Sequence, residues 1–147
     1  MTRINLDPPS LLIDQHLLGE LHEIGRVWPL ALAALDRLGS VEALRAACPA
    51  TFRLGAGHVC FFFPRLGWLA DRHRALVAEA LSRGWRVTHT EPPPVPEGLD
   101  LAWTPTADDW KVSRPRLVES IGRMKRGPTY RGERVGRDWY SVMAVAA

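Results

Sequence analysis

The first forty residues place apolar side chains at helical spacing. Residues 1–8 are expected to be extended, and Pro8-Pro9-Ser10 is expected to open a helix. Apolar residues between Leu11 and Ile24 recur at helical intervals and predict the buried side of that helix. Gly25 weakens the pattern, and Pro29 is expected to kink or end the helix because proline lacks an N–H and crowds the preceding turn.

The middle of the chain predicts further helical segments. An Ala/Leu-rich helix is expected at 30–38, a short one at about 41–48 with Ser40 as its N-cap, and a long amphipathic one from Leu66 to Gly84. The run Val59–Phe63 has the composition of a strand. A buried helix segment fits it equally well, since periodicity cannot separate the two over so short a run.

The last third of the sequence is richer in proline and glycine. Residues 91–97 predict an extended crossing on the surface, because their prolines fit neither a helix nor a strand interior. Pro115 suits the first turn of a last helix at about 116–125, and the tail from Gly127 on is expected to be irregular. The pattern predicts a mainly α fold: a single compact helical domain over 1–147, with about three to five helices and long loops.

Composition excludes several classes of protein. The chain has 147 residues, of which 46% are apolar, so it is long enough for a hydrophobic core. No apolar run approaches the ~18 residues of a membrane span, and the start shows no pattern of a signal peptide. Cys48 and Cys60 are too few for a disulfide framework, so a reducing cytoplasm is the expected location.

Charge is distributed unevenly along the chain. The 19 basic and 16 acidic residues give a net charge of +3. The segment 111–137, called the basic segment below, holds nine basic and two acidic residues and carries +7. Such a segment suggests a polyanion as partner, although the solvated surface of an arginine-rich protein has the same composition.

Most familiar catalytic motifs are absent from the sequence. No Gly-rich loop is followed by Gly-Lys-Ser or Gly-Lys-Thr, and Gly55-Ala56-Gly57 lacks the third glycine of a dinucleotide site. His58 and Cys60 are both possible metal ligands, but no second pair stands at ligand spacing. Neither zinc nor a Cys-His nucleophile pair is therefore favoured.

One side of the first predicted helix combines several polar groups. At about 100° per residue, Gln15, His22 and Arg26 fall in one stripe, and His16 and Glu23 fall in the next. A solvated helix face is the ordinary explanation of this pattern. A carboxylate beside Arg26 is nevertheless expected to stay ionised, which would let Glu23 stabilise a nearby cation or transfer a proton.

The N-terminus offers a candidate nucleophile. A residue as small as Thr2 normally permits removal of the initiator methionine, which exposes an α-amine. The reference pKa of that amine is about 7.7–8.0, against about 10.4 for lysine, so far more of it is unprotonated at neutral pH. An amine that attacks a sugar carbon forms a Schiff base. Because Lys111 and Lys125 are the only lysines, the Thr2 α-amine is the preferred candidate for amine chemistry.

Several strings of the sequence occur together, and in the same order, in one known family. They are Met1–Leu6, Asp14–Leu17, Glu23 with Arg26, Thr51–Val59 with the aromatic run after it, Leu66–Gly84, Arg116-Leu117 and Pro128–Tyr130. Together they resemble the phage-type endonuclease V family, the pyrimidine-dimer DNA glycosylases with AP-lyase activity. The resemblance covers most of the chain and is weaker at about 29–50 and 88–112.

The resemblance implies a mechanism and a set of site residues. The Thr2 α-amine would attack C1′ of the damaged nucleotide and form an imine, Glu23 would stabilise that cation, and β-elimination would cut the strand. The positions implied to contact DNA are Arg3, Gln15, His16, His22, Arg26, His73, Arg116, Lys125 and Tyr130. The family needs no metal and no cofactor. The implied partner is damaged double-stranded DNA, bound by a monomer in the cytoplasm in association with the nucleoid.

Three of these positions depart from the family. His22 stands where the family has Arg, His73 stands where it has Gln, and the C-terminal aromatic cluster is reduced to Tyr130 with Trp139-Tyr140 further on. The resemblance implies that these residues select the lesion. A cyclobutane pyrimidine dimer is the leading substrate, with an alkylated or ring-opened purine as the alternative for the same chemistry. The alternative outside the enzyme class is a module that binds distorted DNA without cutting it, which has no need of Thr2 and Glu23.

Overall fold

Helices dominate the structure, as predicted. The computed structural model describes residues 2–146, and of residues 144–146 the backbone only. The helices of this part are α1 (Asp14–Glu23), α2 (Val27–Leu38), α3 (Val41–Ala47), α4 (His58–Phe62), α5 (Leu66–Ser82), α6 (Ala107–Gly122) and α7 (Trp139–Ala146). A hairpin of β1 (Thr129–Tyr130) and β2 (Glu133–Arg134) forms the sheet of the described residues. The mainly α fold is confirmed, although the described residues form seven α-helices, more than the predicted three to five.

One hydrophobic core holds these elements together. Helix α5 packs across α1 and against α4, while α2 packs on α3. Residues 2–7, called the N-terminal segment below, contribute the buried side chains of Ile4 and Leu6 to the same core. At one end Phe61 and Phe62 meet edge to face, with ring centroids 5.1 Å apart, and Trp103 packs against both. Among residues 2–146, no helix combines the length and the apolarity needed to cross a bilayer.

The boundary between α1 and α2 differs from the prediction. Pro9–Leu11 forms only a 3₁₀ turn, and α1 begins at Asp14. A second 3₁₀ turn, Ile24–Arg26, contains Gly25 and separates the two helices. The prediction that Pro29 kinks or ends a helix is wrong. Pro29 lies in the first turn of α2, where N–H groups have no acceptor within the helix and a proline is tolerated.

The shorter helices follow local signals in the sequence. The hydroxyl of Ser40 accepts a hydrogen bond from the Ala43 N–H at 3.1 Å, which confirms the predicted N-cap of α3. The ambiguous run 59–63 lies largely in a helix, α4. Gly57 precedes that helix with φ of 87°, a left-handed conformation that favours glycine. Residues 91–97 contain no helix and no strand, as predicted.

Helix α6 begins at Ala107 rather than at the predicted residue 116. Thr106 and Asp109 form a capping box in which the Thr106 hydroxyl accepts from the Asp109 N–H at 3.2 Å and the Asp109 carboxylate accepts from the Thr106 N–H at 2.9 Å. Both contacts satisfy N–H groups that the start of a helix leaves free. Pro115 therefore lies inside the helix, and its prediction as a first-turn residue is wrong.

The tail is not irregular, contrary to the prediction. Strand β1 pairs antiparallel with β2, and Tyr130 lies opposite Glu133. Arg131 and Gly132 connect the strands with φ of 51° and 83°, and two consecutive positive φ angles are typical of a type I′ hairpin turn. Helix α7 follows the hairpin and returns the chain to the start of α1, where the Trp139 indole N–H donates to the Leu11 carbonyl at 2.7 Å.

The Asp14 carboxylate connects the hairpin to α1. It accepts hydrogen bonds from the N–H groups of Gly132 at 2.9 Å and Arg131 at 3.1 Å. The Thr129 hydroxyl and the Arg83 guanidinium also donate to it, each at 2.8 Å. Burial raises the pKa of this carboxyl, but the four donors together lower it below its ordinary value. The ionised carboxylate thus holds the C-terminal part of the chain against the first helix.

Asp14→Ala should lower the free energy of unfolding by about 3 kcal/mol, because the buried Arg83 side chain loses its nearest carboxylate. Urea unfolding of the variant and the wild type measures the difference. Asp36→Ala, on the exposed surface of α2, is the matched control and should change the value by less than about 0.5 kcal/mol. Equal effects of the two substitutions would show that Asp14 does not hold the hairpin.

Candidate active site

The backbone of the N-terminal segment is held from both sides at Ile4. The Ile4 N–H donates to Nε2 of His58 at 3.0 Å, and Nδ1 of the same ring lies 2.8 Å from the Arg53 carbonyl. From the other side, the Arg116 guanidinium donates to the Ile4 carbonyl at 2.7 Å. Because Nε2 accepts a hydrogen bond, the proton of the ring is on Nδ1 and the imidazole is neutral. Burial lowers the pKa of His58 to about 4, in agreement with that state.

A buried ion pair lies beside the same segment. The Arg72 guanidinium makes two hydrogen bonds to the Glu20 carboxylate, at 2.7 and 2.9 Å. The Asn5 side chain donates to Glu20 Oε1 at 2.9 Å, and Arg72 also donates to the Asp7 carbonyl at 2.6 Å. Buried charges are tolerated when they are paired and hydrogen-bonded in this way. The cluster fixes the N-terminal segment to α1 and α5.

Glu23, the last residue of α1, lies against the start of the N-terminal segment. Its Oε2 accepts a hydrogen bond from the Arg3 N–H at 3.0 Å. Three covalent bonds separate this amide nitrogen from the α-nitrogen of Thr2, so the two nitrogens are at most about 3.7 Å apart. The carboxylate therefore lies close to the α-nitrogen that the sequence singles out as a nucleophile.

These groups border a cavity of about 320 Å³, called the first cavity below. One wall is a polar face of α1, whose members recur at helical spacing, and the opposite wall is α6. The lining residues are Arg3, Asn5, Gln15, His16, Gly19, Glu20, Glu23, Arg116, Leu117 and Ser120. The predicted residues Arg3, Gln15, His16, Glu23 and Arg116 are therefore brought together at one site.

His16 connects the helices around the first cavity. Its Nδ1 lies 2.6 Å from the Tyr140 hydroxyl, and its Nε2 lies 3.0 Å from the Ser120 hydroxyl. The imidazole also stacks on the Tyr140 ring, with centroids 5.5 Å apart. Burial, followed by the charges of Arg3 and Arg116, lowers the pKa of His16 to about 4. At pH 7 this side chain is neutral, and it contributes hydrogen bonds and packing rather than charge.

Two guanidinium groups, those of Arg3 and Arg116, line the first cavity. Burial and the nearby charge of Arg3 lower the pKa of Arg116 to about 10, which is still far above neutral, so Arg116 stays cationic at pH 7. Guanidinium groups bind phosphate oxygens through charge-assisted hydrogen bonds. Glu23 adds a carboxylate to the same cavity, where it would stabilise a positive charge that develops during a reaction.

The N-terminal part of the chain matches a known family. The model of the family described as pyrimidine dimer DNA glycosylase matches residues 1–92, more than half of the sequence. The chain belongs to the pyrimidine dimer DNA glycosylase family. It is a DNA repair glycosylase, and its substrate is damaged DNA. The matched region carries Glu23, His58 and Arg72, whereas α6, the hairpin and α7 of this glycosylase lie outside it.

Two predicted DNA contacts line a second cavity of the glycosylase. His22 and His73 border a space of about 700 Å³ together with Trp85 and Glu91, and no residue lines both this second cavity and the first. His22 is exposed. His73 is buried, its Nδ1 has no hydrogen-bond partner among the described residues, and burial lowers its pKa. Both histidines thus line a different cavity from Glu23, although His22 is its neighbour in the sequence.

Gln15 connects the first cavity to the interior of the basic segment. Its side chain donates to the Gly127 carbonyl at 3.3 Å and accepts from the Thr129 N–H at 3.2 Å. Lys125 is exposed and lies two residues before Gly127, next to the rim of the cavity. Arg26 is exposed at the end of the second 3₁₀ turn and lines neither cavity.

Tyr130 lies in a third place, outside both cavities. Its hydroxyl donates to the Ser10 carbonyl at 2.7 Å, and its ring packs on Trp139 with centroids 4.7 Å apart. The Arg83 guanidinium lies over the same ring, 4.5 Å from its centroid. In this arrangement Tyr130 joins the hairpin to the start of α1.

The residues that hold the N-terminal segment are the ones that sequence reasoning missed. The sequence indicates His58 only as a possible metal ligand and as part of a motif. Among residues 2–146, no group of three or more His, Cys, Asp or Glu side chains could hold a metal ion. Asn5 and Arg72 give no signal in the sequence, because buried polar contacts have no periodicity. The Gly-Ala-Gly-His string before α4 is the one feature that could have marked His58.

The free energy of unfolding should fall as the pH is lowered from about 6.5 to about 4. The pKa values of His16 and His58 are about 4 in the folded chain and about 6.5 when unfolded, so the unfolded chain binds more protons in this window. Above pH 6.5 both rings are neutral in either state, and their full contribution is present. Urea unfolding across this range should show a loss on the order of 2–3 kcal/mol for each histidine.

His58→Asn should remove a large part of this pH dependence, because it eliminates one of the two histidines whose pKa is lowered to about 4. His89→Asn, at an exposed position, is the matched control and should leave the dependence unchanged. A wild-type stability that is flat between pH 6.5 and 4 would contradict the neutral state assigned to both rings.

Proposed function

We propose that this glycosylase is also an AP lyase and that its lesion is the cyclobutane pyrimidine dimer in duplex DNA. The observation that carries the proposal is the hydrogen bond from the Arg3 N–H to the Glu23 carboxylate, beside the α-nitrogen of Thr2. An amine next to a carboxylate, in a cavity with fixed guanidinium groups, suits imine chemistry on a phosphate-bearing substrate. The proposal requires removal of Met1, since the Thr2 nitrogen is otherwise a peptide amide.

The reaction proposed for the Thr2 amine has two stages. In the first, the lone pair of the amine forms a bond to C1′ of the damaged nucleotide, and the glycosidic bond breaks with its electron pair on the departing base. Opening of the sugar ring and transfer of a proton from the amine to the ring oxygen give an iminium ion. In the second stage, a proton leaves C2′, the C3′–O bond breaks, and the 3′ phosphate departs.

Glu23 is the carboxylate proposed to act in both stages. Its charge stabilises the positive charge that develops at C1′ and persists in the iminium ion. Its hydrogen bond to the Arg3 N–H, next to residue 2, supports its role as the proposed general base for the amine proton and for the proton at C2′. Arg3 and Arg116 are proposed to hold the phosphates on either side of the lesion.

The second cavity supports a role in accommodating an extruded base. Its volume of about 700 Å³ is ample for a nucleobase, and its lining includes the rings of His22, His73 and Trp85. Extrusion of a base costs a few kcal/mol, and stacking of the base on such rings stabilises the extruded state by a similar free energy. We place the base opposite the lesion in this cavity, so that His22 and His73 influence which lesion is accepted.

Borohydride should trap a covalent complex between the glycosylase and duplex oligonucleotides that contain a pyrimidine dimer or an abasic site, because it reduces the imine to a stable amine. Thr2→Ala still permits removal of Met1 and should trap like the wild type. Thr2→Leu retains Met1, moves the amine one residue away from Glu23 and should reduce trapping sharply. Intact mass spectrometry establishes the state of Met1 in each sample.

The double variant Lys111→Arg, Lys125→Arg contains no lysine and should trap like the wild type. An adduct that maps to either lysine would overturn the assignment of the nucleophile. Trapping on a ring-opened purine but not on a pyrimidine dimer would favour the alternative lesion. Binding without any trapping would favour a module that recognises damaged DNA without cutting it.

Glu23→Gln should lower strand cleavage by at least about 100-fold, because it removes the charge and the base while keeping the shape. Binding of damaged duplex should change by only a few-fold, since a carboxylate opposes rather than assists the binding of phosphates. Single-turnover cleavage and equilibrium binding on the same oligonucleotide separate the two effects. Glu42→Gln, on the exposed side of α3, is the control. A parallel loss of binding and cleavage would indicate that Glu23 is structural.

Neutralising Lys125 and Arg126 together to Gln should weaken binding to damaged and undamaged duplexes alike and flatten the dependence of log K on log salt by about two units. Both side chains are exposed, and Gly127 next to them contacts Gln15 at the first cavity. Arg37→Gln, on α2, is the control and should leave the slope unchanged. Arg116 is unsuitable for this test, because it also holds the Ile4 carbonyl. An unchanged slope in the double variant would indicate that this part of the basic segment does not contact DNA.

A further inference from the structure

The two cysteines of the chain lie side by side. Cys48 caps the end of α3 and Cys60 lies in α4, and their sulfur atoms are 3.1 Å apart. Both are free thiols in the structure. Since the sequence contains only these two cysteines, each has the other as its nearest possible disulfide partner.

The two thiols differ in exposure. Cys48 is buried, whereas Cys60 is half-buried and so is the thiol that a small oxidant reaches first. Burial, followed by the hydrogen bond from Cys60, raises the pKa of the Cys48 thiol to about 12, and the nearby Arg65 guanidinium opposes that rise. The accessible thiol is therefore suited to react first, and the buried one to react second.

The loop between the cysteines carries the anchor of the N-terminal segment. Residues 49–59 include Arg53, whose carbonyl faces Nδ1 of His58 at 2.8 Å, and His58 itself, whose Nε2 accepts from the Ile4 N–H. Cys60 lies two residues after His58 on the same helix. A covalent bond between the sulfurs would join the two ends of this loop, which carries the imidazole that fixes Ile4.

We propose that Cys48 and Cys60 are a redox pair that a hydroperoxide converts to a disulfide, which clamps the loop that holds His58. The Cys60 sulfur, on losing its proton, attacks a peroxide oxygen. The O–O bond breaks, the sulfur becomes a sulfenic acid, and with hydrogen peroxide a water molecule leaves. The Cys48 sulfur then attacks the Cys60 sulfur, loses its proton, and displaces a second water. In total, two thiols are oxidised to one disulfide and one peroxide is reduced to two waters.

The disulfide should stabilise the fold and the anchor, because it restricts the unfolded chain across the closed loop. The midpoint of thermal unfolding should rise by about 5–10 °C on oxidation. Exchange of the Ile4 amide hydrogen should slow, since the loop that carries its acceptor opens less often. These effects do not depend on the proposed lyase activity, so they can fail or succeed independently of it.

Titration of the native chain with hydrogen peroxide tests the pair directly. The wild type should lose both thiols together, its mass should fall by about 2 Da, and digestion should yield one cross-linked Cys48–Cys60 peptide. Cys48→Ala removes the second thiol, so its Cys60 should accumulate sulfinic acid instead. Cys60→Ser keeps only the buried thiol, which should react much more slowly. Cys48→Ser serves as a second variant if the alanine substitution impairs folding.

Four results would overturn the proposal. The first is accumulation of sulfinic acid on Cys60 of the wild type while the Cys48 thiol remains. The second is a disulfide that links two chains, seen as a dimer in non-reducing gels. The third is persistence of both thiols at a peroxide dose that oxidises a small free thiol. The fourth is formation of the disulfide without a rise in the unfolding midpoint and without slower exchange at Ile4.

Discussion

The buried ion pair between Glu20 and Arg72 is the constraint on which the geometry of the candidate site depends. Removing two charges from water costs several kcal/mol for each ion, and the cost is offset only when the remaining donors and acceptors are satisfied. Here the partners that satisfy them, the Asn5 amide and the Asp7 carbonyl, belong to the N-terminal segment. Terminal segments ordinarily fray. The N-terminal segment instead satisfies the buried charges of Glu20 and Arg72, and it therefore forms a rigid support for residue 2.

The elements that the sequence predicted well are those whose apolar residues repeat over many positions. Helices α2 and α5 follow that rule, because a long repeat leaves one arrangement that buries it. The sequence predicted helix α6 but placed its start nine residues too late, since its capping box at Thr106 lies in a region of weak periodicity and Pro115 suggested a later start. The hairpin was not predicted, because its two short strands contain no repeating apolar pattern. They are held by the Asp14 carboxylate, which is far away in the sequence.

In the candidate site, too, the features set by helical spacing were predicted, whereas those set by contacts between distant residues were not. Helical spacing alone puts His16 and Glu23 on one side of α1, and the first cavity opens on that side. The same reasoning grouped His22 with Gln15, yet the exposed His22 side chain lines the second cavity, together with residues of α5 and of the segment after it. The role of His58 depends on a hydrogen bond that joins residues 54 positions apart. Such a contact is fixed by the folded arrangement of several elements, and no local pattern encodes it.

Helix α7 gives the site a dependence on the far end of the chain. The Tyr140 hydroxyl accepts from the Ile13 N–H at 3.1 Å, across 127 positions of sequence, and the same hydroxyl contacts His16. Contacts between residues so distant form late in folding, because a large loop must close first. During synthesis the residues of the first helix leave the ribosome long before those of α7. The cavity therefore lacks one of its supports until α7 has been synthesised and packed, and until then a nascent chain carries the N-terminal segment without the complete site around it.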